Sequence, residues 1–285
     1  MSQFPGFSAE WLALRESIDA RSRSVRLTRE IATALPHEAL RAVDLAAGTG
    51  ANARFLAEHL PARQDWLLVD HDPALLQAAR VERRSQETGR ELRMATLDTD
   101  LAALAVFPAN TVERIFANRQ LVTASALLDL VSEGWLRALA ARCRASGARV
   151  LFALTYDGTI QCFPEEPDDH QIRDLVNRHQ RTDKGFGAAL GPDAAVQADR
   201  ILTEAGYEVT REPSAWHVPP EMSELQRRLI DGWADAALEL ASREQGLSLA
   251  SGWIERWRAH RLAHVAEGRS RLVVGHEDLA GWLRS

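Results

Sequence analysis

Cysteine is scarce: the 285 residues hold two, Cys143 and Cys162, with no CxxC pair and no secretory context. That excludes a disulfide framework and reads as free thiols in a reducing compartment. Positive charge is in deficit as well. The 34 Lys and Arg against 40 Asp and Glu leave a formal net charge of −6, so the basic field that drives affinity for phosphate backbones is missing and nucleic acid is not an expected partner. No apolar run approaches the ~18 residues of a membrane span. The opening MSQFPGFSAE has neither the basic start nor the apolar core of a secretory leader, and the expectation is a cytoplasmic protein without membrane attachment. Internal repeats and low-complexity tracts are missing too.

What is present is ordinary globular composition, 46% apolar and 26% charged, enough to bury a sizeable core. A chain of this length forms one large domain or a domain with insertions, and the expected assembly is a monomer or homodimer.

Ser8 is a good N-cap, and Trp11, Ile18, Val25 and Ala32 recur seven apart with Leu14 and Leu35 alongside. The pattern predicts one N-terminal helix, a cap over residues 8–35. Position 21 falls inside the stripe. Arg21 is therefore expected to be part-buried and paired with an anion, in a structural salt bridge or against a ligand carboxylate. Arg15, Asp19 and Arg23, spaced four apart, read as a solvent-side ion ladder.

From residue 41 short apolar runs alternate with amphipathic stretches. RAVDLA, DWLLVD, ELRMATLD, QLVTAS and ARVLFALT read as five strands, with VERIFA as an alternative fourth. NARFLAEHL, stopped by Pro61, DPALLQAARVERRSQ, stopped by Gly89, and ALLDLVSEGWLRALAARC read as helices between them. Such alternation implies an α/β fold, a mainly parallel sheet with helices on both faces and right-handed crossovers. Residues 156–192 look like a lid-like insertion around the short helix HQIRDLVNRHQ. The helix DAAVQADRILTEAG leads into a sixth strand, YEVTREPSAWHV, and a helical insertion over 220–268 precedes the seventh, RLVVG. Met222, Leu225, Leu229, Trp233 and Leu240 make one stripe there, and Trp216, Trp233, Trp253 and Trp257 are expected to pack in the core or between helices.

The stretch RAVDLAAGTGANARFLAEHL, residues 41–60, is a strand, a small-residue turn and a helix. Glycine lets a backbone approach a ligand closely, and the free N–H groups of a helix start point at negative charge. In a doubly wound sheet such ligands sit at the carboxyl ends of the strands, near the topological switch point. Asp70 ends the second strand, where a carboxylate accepts ribose hydroxyls, and Asp98 ends the third. The turn G48-T-G50-A-N-A53 also passes for a dinucleotide fingerprint. Asp44 separates the two readings: its carboxylate opposes a pyrophosphate but suits a ligand's ammonium group.

VDLAAGTGAN, LLVDHDPALL and ATLDTDLA, in that order, resemble the three cofactor motifs of the class I S-adenosylmethionine-dependent methyltransferases, a seven-stranded Rossmann-like family. The resemblance extends over about residues 8–220, with RLVVGHEDLAGW similar to the family's last strand. It implies S-adenosyl-L-methionine as cofactor. It places Asp44, Ala46, Gly48, Gly50 and Asn52 around the methionine part, Asp70 and His71 at the ribose, and Asp98 with Thr99 at the adenine. Thr123 to Ser125 would line the site where the fourth strand ends, and Arg21 would hold the cofactor carboxylate.

LVTAS stands where amino-methylating enzymes carry an Asn/Asp-Pro-Pro-Tyr/Phe tetrad, and no Asp/Asn pair for a divalent metal follows it. The expected acceptor is a small molecule and no metal is expected. Methyl transfer needs alignment and, for some acceptors, a base. NRHQRTDKGFG gathers His179, Arg181, Asp183, Lys184 and Phe186 beside two glycines. His179 or Asp183 is expected to assist deprotonation, and Arg181 or Lys184 to bind an acidic acceptor group; a solvated loop is the alternative. Two rival functions stand beside methyl transfer: an NAD(P)-dependent oxidoreductase, which Asp44 disfavours, and a non-catalytic cofactor- or partner-binding protein on the same fold.

Overall fold

Ser8 Oγ accepts from the Trp11 N–H at 3.1 Å and starts α1, Ala9–Ser22. The predicted single cap helix is two. Arg23 leaves helical geometry with ψ 142°, and Ser24 caps a second helix, α2, Val25–Ala34, by accepting from the Leu27 N–H at 3.0 Å. The Ser24 N–H donates to Asp278 Oδ2 at 2.8 Å, which fixes the break on the sheet. A hydroxyl that satisfies an orphan helix donor outweighs the continuing apolar stripe.

The computed structural model describes residues 7–36, 39–60, 63–79, 83–85, 90–243 and 251–283. After α2 come β1 Leu40–Leu45, α3 Ala51–His59, β2 Arg63–Asp70, α4 Pro73–Ala79, β3 Arg83–Ser85 and β4 Arg90–Asp98. Then follow α5 Ala109–Phe116, β5 Leu121–Ser125, α6 Glu133–Ser146, β6 Arg149–Phe163, α7 Asp169–Gln180 and α8 Ala194–Glu204. The chain finishes with β7 Tyr207–Pro213, β8 Trp216–Val218, α9 Ser223–Arg243, α10 Ser251–Ala266 and β9 Arg271–Leu283.

The sheet order is β3-β4-β2-β1-β5-β6-β9-β7, with β8 also paired to β9. β4, β2, β1, β5 and β6 run parallel, and β9 runs antiparallel to β6, β7 and β8. Without the short β3 and β8 this is the predicted seven-stranded arrangement of the class I methyltransferase fold, its last strand inserted in reverse between the fifth and sixth. The order reverses between β1 and β5, which puts the switch point beside the glycine turn.

Four local expectations change. The helix predicted to run to Gly89 gives way to an edge strand, Arg83–Ser85 pairing antiparallel with β4; Gly89 itself lies outside the described residues. VERIFA, the alternative fourth strand, is helical through Phe116, within α5, whose Ile115 and Phe116 are buried. The sixth strand divides in two. Its Ser214 N–H donates to His276 O at 2.8 Å, and β8 then pairs with the other half of β9. The first part of the predicted insertion, up to Phe163, continues β6, which changes register against β9 on either side of Thr155 and Tyr156.

One apolar cluster fills the face under α5, α6 and α8, around Phe152, Leu139 and Ile201; another lies under α2, α3 and α4, around Trp66, Leu56 and Leu27. A third joins α1, α7, α9 and α10 to the extended ends of β6 and β9, with Trp216, Trp233 and Trp257 buried and Trp253 packed against it. The N-terminal and later helices thus close the sheet at the end where the glycine turn emerges.

Candidate active site

Beyond β1 the backbone turns with positive φ at Ala46, Gly48 and Gly50, +51°, +52° and +77°. A Cβ at Gly48 would lie 2.9 Å from Leu12 Cδ1 of α1, and one at Gly50 3.3 Å from Leu68 Cδ1 and from the Ala79 Cβ. Glycine here permits both the left-handed backbone and the close approach of α1 and the sheet. The Gly48 N–H donates to Asp70 Oδ2 at 2.8 Å, and the Asp72 N–H to Asp70 Oδ1 at 3.0 Å. Oδ2 retains a second acceptor position, while His71 Nδ1 stands 3.3 Å from Oδ1.

A cavity of about 560 Å³ opens over this turn, walled by Gly48 of the turn, Asn52 from α3, Asp70 and Ser125 from the ends of β2 and β5, and Leu12 and Arg15 from α1. Lys184, Gly185 and Phe186 close another wall. Phe186 sets its edge against Trp135, ring centres 5.6 Å apart, which anchors that turn to α6.

Beneath the turn lies a buried polar chain. Asn52 Nδ2 donates to Asp44 Oδ1 at 2.7 Å and to Thr123 Oγ1 at 3.2 Å, while Asn52 Oδ1 accepts from Arg23 Nη1 at 2.7 Å. Arg23 sits at the break between α1 and α2, its Nε 3.5 Å from Asp278 Oδ2 and its guanidinium 4.8 Å over the Phe55 ring. Among the described residues its Nη2 and the Asp44 Oδ2 have no hydrogen-bond partner. Burial pushes the Asp44 carboxyl up to about 7 against the help of Asn52 and Arg23, and burial lowers the Arg23 guanidinium. Orphaned donors and acceptors of this kind are costly unless a ligand meets them.

The residues singled out from the sequence divide. Ala46, Gly48, Asn52, Asp70, His71 and Ser125 line the cavity. Asp44, Gly50 and Thr123 stand behind that wall: Asp44 and Thr123 are fully buried, and Gly50 starts α3. Arg21 corrects the expectation made for it. It is exposed, donates to Met222 Sδ at 3.3 Å and is not part of the cavity wall; Arg23, turned inward by the helix break, stands there instead. Arg15 and Asp19 are joined at 2.9 Å, but they face the cavity rather than solvent. Asp98 is exposed and Thr99 spends its hydroxyl on Asp98 O; neither reaches the cavity, where Asp100 and Ala102 stand.

His179 and Asp183 do not line the cavity either. Asp183 Oδ1 accepts from the Gly185 and Gly187 N–H groups at 2.7 and 3.0 Å, which makes it the brace of the turn. Arg181 pairs with Asp193 at the surface. Of the cluster's charged side chains only Lys184 reaches the cavity. His179 stands one step behind, its Nδ1 3.3 Å from Lys184 Nζ and its Nε2 3.2 Å from Glu239 Oε2.

Three features escaped the sequence reading. The Ser24 cap signals the break that brings Arg23 inward. Asp129, on a short 3-10 turn after β5, is buried, with its carboxyl raised to about 6 by burial while the Arg15 and Lys184 charges oppose the rise. The third concerns a residue already singled out, Lys184: it is the only lysine of the chain.

No protein-family model matches the chain, and no curated protein does. Among solved structures, the cyclopropane synthase MmaA2 from Mycobacterium tuberculosis is 11% identical with a TM-score of 0.47, over 96% of this chain and 94% of that one. The phosphoethanolamine N-methyltransferase 2 of Haemonchus contortus, in complex with phosphomonomethylethanolamine and S-adenosylhomocysteine, is 13% identical with a TM-score of 0.46; 96% of this chain spans 57% of that one. A methyltransferase from Thiobacillus denitrificans bound to S-adenosyl-L-homocysteine is 13% identical with a TM-score of 0.44, over 98% of this chain and 99% of that one.

Proposed function

We propose that this chain is an S-adenosylmethionine-dependent methyltransferase acting on a small-molecule acceptor. The observation that carries the reading is a pair of atoms with no partner among the described residues, Arg23 Nη2 on a residue of the cavity wall and Asp44 Oδ2 behind it, with Asn52 bonded to both side chains. An amino-acid arm with a carboxylate and an ammonium matches that pair, whereas a pyrophosphate would face a buried carboxylate. Arg23 is the residue to hold the carboxylate, Asp44 the ammonium charge through Asn52 and the turn, and Asp70 the ribose hydroxyls with its remaining lone pairs. Bound there, the cofactor supplies a sulfonium-activated methyl group, so the protein's task is alignment and exclusion of water.

The acceptor site is the rest of the same cavity, under α1 and the 183–187 turn. Its apolar members Leu127, Leu130 and Phe186 stand with Arg15, Asp19 and Lys184, a setting for a small partly apolar molecule bearing one polar group. Incubation with methyl-labelled S-adenosylmethionine and a panel of phenols, thiols, amines and carboxylic acids tests this. Label in one class of acceptor is the expected result. Cofactor binding without transfer to any class would favour the non-catalytic reading of the fold.

A further inference from the structure

Of the 34 Lys and Arg residues in this chain, 33 are arginine and one is lysine. Surface cation work, pairing with Glu30, Glu204, Asp193 or Glu224, is done by arginine throughout. The one position with an amine is 184, in the cavity wall. An arginine does not give up its proton in a protein; a lysine, once buried, does. The exception to the chain's own habit therefore falls where that difference has chemical use.

Lys184 is 6% exposed, and its Nζ stands 3.1 Å from Thr182 Oγ1 and 3.3 Å from His179 Nδ1. The other ring nitrogen, His179 Nε2, is 3.2 Å from Glu239 Oε2 on α9, and the Glu239 side chain is 48% exposed. The row Lys184, His179, Glu239 thus runs from the cavity to solvent through one imidazole.

We propose that Lys184 is the group that takes the acceptor's proton, with His179 a positioning residue that passes it to Glu239 and the solvent. The inference rests on the methyl-transfer reading above and narrows its acceptor to one whose nucleophile carries a proton, a phenol, thiol or neutral amine, rather than a carboxylate. The lone pair of the acceptor's oxygen, sulfur or nitrogen closes on the methyl carbon as the carbon–sulfur bonding pair withdraws to sulfur. The acceptor's proton passes to the neutral Lys184 amine. From the ammonium it moves to His179 Nδ1 while Nε2 releases its own proton to Glu239.

The electrostatics agree with that assignment. Burial lowers the Lys184 value; Glu239 opposes this, Arg243 adds to it, and Asp129 and Asp183 oppose it. Burial first, and then a charge on Lys184, lowers the His179 value while Glu239 opposes this, which favours the neutral ring that can accept a proton. A base tuned downward toward the working pH is the efficient one.

A single lysine makes the test direct. Full-length protein labelled with 13C at lysine Cε gives one side-chain resonance, followed against pH by NMR. The expected midpoint lies below the ordinary ~10.4 of lysine. It falls further in His179→Phe and in Glu239→Gln, because each change removes a partner that favours the charged amine. A midpoint at or above the ordinary value makes Lys184 a permanent cation and overturns the proposal, as does a midpoint that His179→Phe leaves in place. Calorimetry with S-adenosylhomocysteine separates the two layers. Cofactor binding together with an ordinary lysine titration removes this inference alone; no binding by the parent protein removes the methyl-transfer reading, and this inference with it.

Discussion

Arg23 Nη1 donates to Asn52 Oδ1 at 2.7 Å, joining the break between the first two helices to the start of α3. The bond holds a buried guanidinium at the glycine turn, its Nη2 without a hydrogen-bond partner among the described residues. Arg23→Met should weaken S-adenosylhomocysteine binding by roughly 10- to 100-fold, the weight of a charged hydrogen bond. 5′-Methylthioadenosine, which lacks the carboxylate, serves as the reference in the same calorimetric series. A folding defect lowers both affinities, whereas the proposed contact lowers only the first.

Asp44 couples ligand binding to pH. Its folded value, about 7, lies above the ordinary 3.8, so its contribution to stability is fully present below 3.8 and is lost as pH rises through about 7. Asp44→Asn should remove that loss, raising the stability of the ligand-free protein at pH 8 but not at pH 4 by on the order of a few kcal/mol, read as a higher melting temperature at pH 8 alone. The same variant should bind S-adenosylmethionine more weakly at pH 8, since the charge that answers the ammonium is gone. Thermal melts at the two pH values and one titration decide both parts.

Gly48 carries the turn's left-handed backbone and its contact with α1. Gly48→Ala should cost about 1–2 kcal/mol from backbone conformation, with more from moving Leu12, whose Cδ1 would sit 2.9 Å from the new Cβ. The measurement is chemical denaturation, in which the midpoint falls while the slope stays constant.

His276 lies away from the cavity, buried between Trp216 and Tyr156 with ring centres 4.9 and 6.3 Å away. Burial first, then the Arg15 charge, lowers it to about 3 from the ordinary 6.5. The unfolded chain binds that proton more readily, so stability is complete above about 6.5 and drains away as pH falls toward 3. His276→Phe, which keeps an aromatic ring there, should flatten the melting temperature across that window.

The sheet was legible because its signals are local: apolar runs such as DWLLVD and ARVLFALT, the Asp72-Pro73 helix start and the Gly147 stop. The glycine turn and the carboxylates at Asp44 and Asp70 were legible for the same reason. What the pattern hid was tertiary. The seven-residue stripe through Trp11, Ile18 and Val25 counted Arg21 as inward, because periodicity does not register the Ser24 cap that ends one helix and starts another. His179 and Asp183 drew notice by residue type, yet the turn spends Asp183 on the Gly185 and Gly187 N–H groups and leaves Lys184 at the cavity. The split of the sixth strand depends on where β9 offers partners far along the chain, which no window of neighbouring residues contains.

Calorimetric titration of the purified protein with S-adenosylmethionine, S-adenosylhomocysteine and NAD(H) tests the central claim most directly. Binding of the first two, and none of NAD(H), is the result the Arg23, Asn52 and Asp44 arrangement requires. Binding of NAD(H) alone, or of none of the three, would contradict it.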